Sequence, residues 1–135
     1  MSEIKVDALT GKTTAGDITV TSEGGAATMQ LQQGLVKSFE IHDDDETTVL
    51  ESINISSITD GTTGICSPVF INNMSSVNYF TAGSTGEEST SYGIISSVRH
   101  GAAATTSTYT YAVQNSTATL VDRNNTMSAC IGDLA

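Results

Sequence analysis

The stretch from Ser52 to Ile71 constrains this chain more than any other, because it reads as a strand, a glycine-bracketed turn and a second strand. Ile53, Ile55 and Ile58 supply apolar β-branched side chains, Asp60-Gly61-Thr62-Thr63-Gly64 supplies a loop, and Ile65-Cys66-Ser67-Pro68-Val69-Phe70-Ile71 resumes the strand. Side chains branched at Cβ are stiff at χ1 and pack well on a pleated surface. Asp-Gly accepts the positive φ of a tight reversal, and a second glycine lets the chain re-enter the sheet without a Cβ clash.

The rest of the chain repeats this grammar. From Leu35 onward, Phe39 and Ile41 alternate with Ser38 and Glu40, and Val49 begins the next apolar group after an acidic loop. Val77, Tyr79 and Thr81 share a face, as do Tyr92, Ile94, Ser96 and Val98. Tyr109, Tyr111 and Val113 keep the same period, and Met127, Ala129 and Ile131 close the chain. Turn clusters at 83–86, 101–106, 115–116 and 123–125 separate these segments. Short alternating strands between such clusters predict an all-β fold, an antiparallel sandwich or jelly roll spanning 35–135. Pro68 inside a strand-like run predicts an edge strand or a bulge, since proline brings no N–H to a ladder.

Residues 1–34 differ. Met1 to Val6 reads as a short strand, Ile18-Thr19-Val20-Thr21 alternates, and Thr28 to Gln32 alternates again with Met29 and Leu31 on one face. Glycine-rich and small-residue turns separate the pieces, which carry too little apolar bulk to pack alone. Regular alternation in so thin a segment predicts docking and oligomerisation, by strand addition onto an acceptor, through Ile4, Val6, Ile18, Val20, Met29 and Leu31.

Composition removes several function classes. A net charge of -10 opposes nucleic acid, and Lys5, Lys12, Lys37, Arg99 and Arg123 are too scattered to track phosphates. No apolar run is long enough to span a bilayer, and the N-terminus lacks the basic-then-apolar layout of a signal peptide, so neither membrane insertion nor export is expected. Cys66 and Cys130 both lie in apolar strand-like segments and are expected as buried free thiols.

Polar clusters give no catalytic pattern. Asp43-Asp44-Asp45-Glu46 lacks the alternating ligand spacing and glycine of a calcium loop, so a solvated turn is expected and no metal. His42 beside that run reads as an exposed loop histidine, and His100 has no nucleophile elbow to serve. The pairs Gly24-Gly25 and Gly83 to Gly86 lack the Lys-Ser/Thr of a phosphate loop, so no cofactor is expected. Tyr79, Tyr92, Tyr109 and Tyr111 read as core or subunit-seam aromatics, the competing use being a platform for sugar rings. No enzyme is expected.

One resemblance is more specific than composition. Asn54-Ile55-Ser56-Ser57-Ile58-Thr59-Asp60-Gly61-Thr62-Thr63-Gly64, then a strand, then Asn73-Met74-Ser75-Ser76-Val77-Asn78-Tyr79, resembles the C-terminal β-module of structural and tail-fibre-like proteins of marine tailed phages. Ala129-Cys130-Ile131-Gly132-Asp133 is similar to that family's closing strand, and Ile4-Lys5-Val6-Asp7 to its N-terminal start. The resemblance implies a virion component made in the bacterial host's cytoplasm, a homotrimeric projection that contacts other virion proteins of capsid or tail. Many relatives carry a long shaft that this chain lacks, so a capsid-decorating knob or short tail appendage fits its length better. The alternative is a receptor-binding module for host-surface glycan.

Overall fold

The computed structural model describes residues 4–12, 18–21, 25, 27–31, 34–43, 45, 47–86, 94–96 and 104–135. Tertiary contacts divide the chain into two compact units, Met1–Leu35 and Val36–Ala135, the expected boundary having been 34/35. The first unit holds a two-stranded antiparallel sheet of β1 (Thr19–Thr21) and β2 (Thr28–Gln30), with Val20 opposite Met29. Residues 4–6, expected as a strand, form none.

The second unit is the antiparallel β-sandwich that the alternating pattern predicts. Its strands are β3 (Val36–His42), β4 (Val49–Ile53), β5 (Ile55–Thr62), β6 (Ile65–Phe70), β7 (Phe80–Ser84), β8 (Ile94–Ser96), β9 (Tyr111–Gln114) and β10 (Thr126–Ile131). One four-stranded sheet has the order β4-β3-β10-β7 and the other β5-β6-β9-β8. Every strand pair is antiparallel.

The Ser52–Ile71 stretch contributes to both sheets. Asn54, at φ 57°, turns the chain out of β4 and into β5, a left-handed conformation that asparagine tolerates better than most residues. Its side chain clamps the far end of the hairpin. Oδ1 accepts from the Asn72 backbone N–H at 2.7 Å, and Nδ2 donates to the Asn72 carbonyl at 3.0 Å. The reversal itself is tighter than the sequence predicts. β5 runs on to Thr62, and the positive φ falls at Gly64 (70°) rather than in Asp60-Gly61. A Cβ on Gly64 would lie 2.6 Å from the Val113 carbonyl oxygen, while its N–H donates to Asp122 Oδ1 at 2.6 Å.

Pro68 is a correction. It lies in β6, an interior strand between β5 and β9, and not at an edge. Nor does it bulge on the β9 side, since Cys66 opposite Tyr111 and Val69 opposite Thr108 keep one register. The ladder skips at Pro68 because the ring nitrogen has nothing to donate. The Pro68 carbonyl instead accepts from Thr108 Oγ1 at 2.7 Å, and Ser67 Oγ bonds Thr110 Oγ1 at 2.8 Å.

The apolar core sits against the β5-β6-β9-β8 sheet. Ile55, Ile58, Cys66, Phe70, Met74, Tyr109, Tyr111, Val113 and Cys130 form one buried cluster. Phe70, Tyr79 and Tyr109 pack as an aromatic group with ring centroids 5.6–6.3 Å apart. Cys66 and Cys130 are buried free thiols, as expected.

Candidate functional site

The two faces of the β4-β3-β10-β7 sheet are chemically reversed relative to an ordinary sandwich. The pleat sends Ser38, Glu40 and His42 of β3 to one side, with Phe39 and Ile41 on the other. The register sets Cys130 opposite Ser38, Ser128 opposite Glu40 and Thr126 opposite His42. All six of these residues are buried, so the inward face is mostly polar.

Burying polar groups costs free energy unless each finds a partner. The partners arrive from the facing sheet as tyrosine hydroxyls. Glu40 Oε1 accepts from Tyr111 Oη at 2.8 Å and from Ser128 Oγ at 2.6 Å. With its proton given to Glu40, Ser128 is left to accept from Tyr109 Oη at 2.5 Å. His42 Nδ1 donates to the Asp43 carbonyl at 2.8 Å, and Nε2 lies 2.6 Å from Tyr111 Oη. Glu40 Oε2 is buried with no hydrogen-bond partner, 4.0 Å from His42 Nε2.

Tyr111 has one proton to give, and it sits between Glu40 and His42. Burial pushes the Glu40 carboxyl up from its ordinary value. Burial likewise raises the Tyr109 and Tyr111 phenols and the Cys130 thiol, so these groups stay protonated. This network orders the interior and offers no surface to a substrate. His42, expected in an exposed loop, is instead fully buried at the end of β3, because Tyr111 provides the partner that a buried imidazole needs.

The outward face carries the apolar side chains. Its cross-strand rows are Ile53–Phe39–Ala129–Ala82, Glu51–Ile41–Met127–Ser84 and Val36–Ile131–Phe80. Ile53 is 55% exposed, Phe80 62% and Val36 52%. Of the three phenylalanines in the chain, Phe39 and Phe80 lie here. Glu51 is the only charged residue in these rows. A groove of about 360 Å³ opens on this face, lined by Phe39, Ile41, Ala82, Ser84, Met127 and Ala129. Sequence reasoning had the alternation but missed this face. The signal was there in Met127, Ala129 and Ile131, which pair with Ile41, Phe39 and Val36 rather than with the polar set.

The other expected site residues fall as follows. Val20 and Met29 meet across β1 and β2 and, with Ala27 and Thr28, line a depression of about 220 Å³. Leu31 N–H donates to the Ile18 carbonyl at 2.7 Å, extending the pairing by one bond. Ile4 (85% exposed) and Val6 lie outside any strand, and Met29 is exposed. Of the two readings for Tyr109 and Tyr111, core or subunit seam against sugar platform, the structure shows the core: at 1% and 2% exposed they belong to the protomer's own interior and present no ring face for sugar. Tyr79 is half-buried, its hydroxyl donating to the Thr105 and Thr108 carbonyls at 2.9 and 3.0 Å, and burial raises its phenol to about 12. Tyr92 and His100 lie outside the described residues, as do Asp44 and Glu46. In the acidic run Asp45 accepts from the Thr48 hydroxyl on Oδ2 and from the Thr48 and Thr47 N–H groups on Oδ1 at 2.7 and 3.0 Å, and these bonds, the hydroxyl first, hold its carboxyl below the usual range in a solvated turn. Among the described residues no His, Cys, Asp and Glu cluster has the makings of a metal site.

No protein-family model, curated protein or solved structure matches this chain.

Proposed function

We propose that this protein is a structural component of a tailed-phage particle, a short capsid-decorating or tail-appendage protein that docks through residues 1–35 and assembles with copies of itself. The observation that carries the reading is the N-terminal unit. Among the described residues its sheet has two strands, and Ile4, Val6, Leu9 and Met29 all stand more than half exposed. A lone two-stranded hairpin is marginal in water, so such a unit gains its stability from an acceptor that covers those side chains and pairs its free strand edges.

The hairpin and corner motifs that resemble phage structural modules support the particle as the setting. A glycan-binding role has less to stand on, because Tyr109 and Tyr111 are buried and unable to stack on a sugar. The test is retention on particles. Labelled full-length protein should stay with purified particles through a density gradient, and protein lacking residues 1–35 should be released while its β-sheet circular dichroism persists. Equal retention of both would overturn the docking assignment. Absence of the full-length protein from particles would overturn the setting.

A further inference from the structure

We propose that the outward face of the β4-β3-β10-β7 sheet is the contact between two copies of this chain, packed face to face about a two-fold axis parallel to the strands. The inference rests on the structural reading above and names the surface through which copies meet. Four strands and three side-chain rows span roughly 20 Å by 20 Å, or about 400 Å² in projection and more in accessible area. That approaches the ~600 Å² per partner at which specific interfaces begin. It also matches the largest apolar patches of soluble monomers, which are commonly functional.

The occupant follows from size and charge. The middle row runs large to small, from Ile53 and Phe39 to Ala129 and Ala82. A two-fold axis along the strands brings β4 over the partner's β7 and β3 over its β10. Ile53 then faces a partner alanine at position 82, and Phe39 faces one at position 129. Bulk meets space, as tight sheet packing requires. The small half of the row is also where the 360 Å³ groove opens, so each copy fills the other's groove. In the next row Ile41 meets Met127 and Glu51 meets Ser84, so the two Glu51 carboxylates stay at opposite corners. Phe80, the most exposed large side chain on the face, lies over the corner where β4 has no residue in the Val36–Ile131 row. The rows hold no cation, so a basic partner would find only Glu51, whereas a second copy finds a surface of its own kind. Such a contact is isologous and closed.

The experiment uses the full chain. Sedimentation equilibrium of the wild type should give a dimer, and Ala129→Glu, which sets a carboxylate at the patch centre, should weaken it at least 100-fold. A wild type that stays monomeric into the millimolar range overturns the inference, and so does a threefold assembly. The axis has its own test, which does not depend on Ala129→Glu folding. Glu51→Cys with Ser84→Cys should yield a dimer on treatment with a short bismaleimide, and either single variant should not, the native thiols being buried. Efficient cross-linking by a single variant, or none by the pair, overturns the proposed axis. Loss of particle binding with the dimer intact would count against the particle setting alone, and a particle-bound monomer against this inference alone.

Discussion

Glu40 accepts two hydroxyl protons on one carboxyl oxygen, has no partner for the other, and is wholly buried. Its raised pKa makes stability depend on pH with a definite sign. Below the ordinary carboxylate value both folded and unfolded chains hold the proton, and the folded state keeps its full benefit. As pH rises through the folded value the chain must ionise a buried group, and that benefit is lost at about 1.4 kcal/mol for each pH unit between the two values. Glu40→Gln cannot ionise, so its denaturant midpoint relative to wild type should climb from pH 4 upward and then level off. Parallel wild-type and variant curves across that range would show that Glu40 titrates normally. Tyr111→Phe would add little to this test, since it strands Glu40 and His42 together.

At the scale of the element, the β4–β5 corner joins the two sheets. Asn54 holds it with a left-handed backbone and a side chain bonded to Asn72 both as acceptor and as donor. Asn54→Ala removes those bonds and leaves a residue with a Cβ penalty at positive φ, so it should cost about 1–3 kcal/mol in chemical denaturation. A loss below ~0.5 kcal/mol would mean that sheet pairing alone sets the corner. The hairpin that follows was legible in its glycines, but only the packing around Gly64 shows why the second one matters. The Val113 and Val121 backbones pass where its side chain would be. Pro68 misled for a related reason. Proline disfavours interior strands by removing one donor, and here a threonine hydroxyl from the neighbouring chain segment takes up the carbonyl left beside the gap.

For the whole molecule, charge and the outward sheet face pull in opposite directions. Each copy carries a net charge of -10, which opposes association at long range, while the face that meets is apolar apart from Glu51 and Ser84. Raising ionic strength from about 10 mM to about 150 mM shortens the Debye length from roughly 30 Å to roughly 8 Å and should tighten the dimer severalfold by sedimentation. Weakening over that range would indicate an interface held by ion pairs and not by this face.

From the residues alone it follows that the chain is all-β, where most strands of the second unit lie, and how β3 alternates, whereas the face expected of Val77, Tyr79 and Thr81 is not formed, since that strand begins at Phe80. The alternation comes from the two-residue period of the pleat, which is a local property of any extended backbone. Ser38 and Glu40 were one set and Phe39 and Ile41 the other before any partner was known, and His42 joined the first set only in the fold. Which set is buried is not local. It was decided when β9 brought Tyr111 to Glu40 and His42 across 71 and 69 positions of chain, making a polar interior satisfiable and turning Phe39 and Ile41 outward. A one-residue change of parity reverses every side chain in a strand, and only the tertiary partners choose between the two.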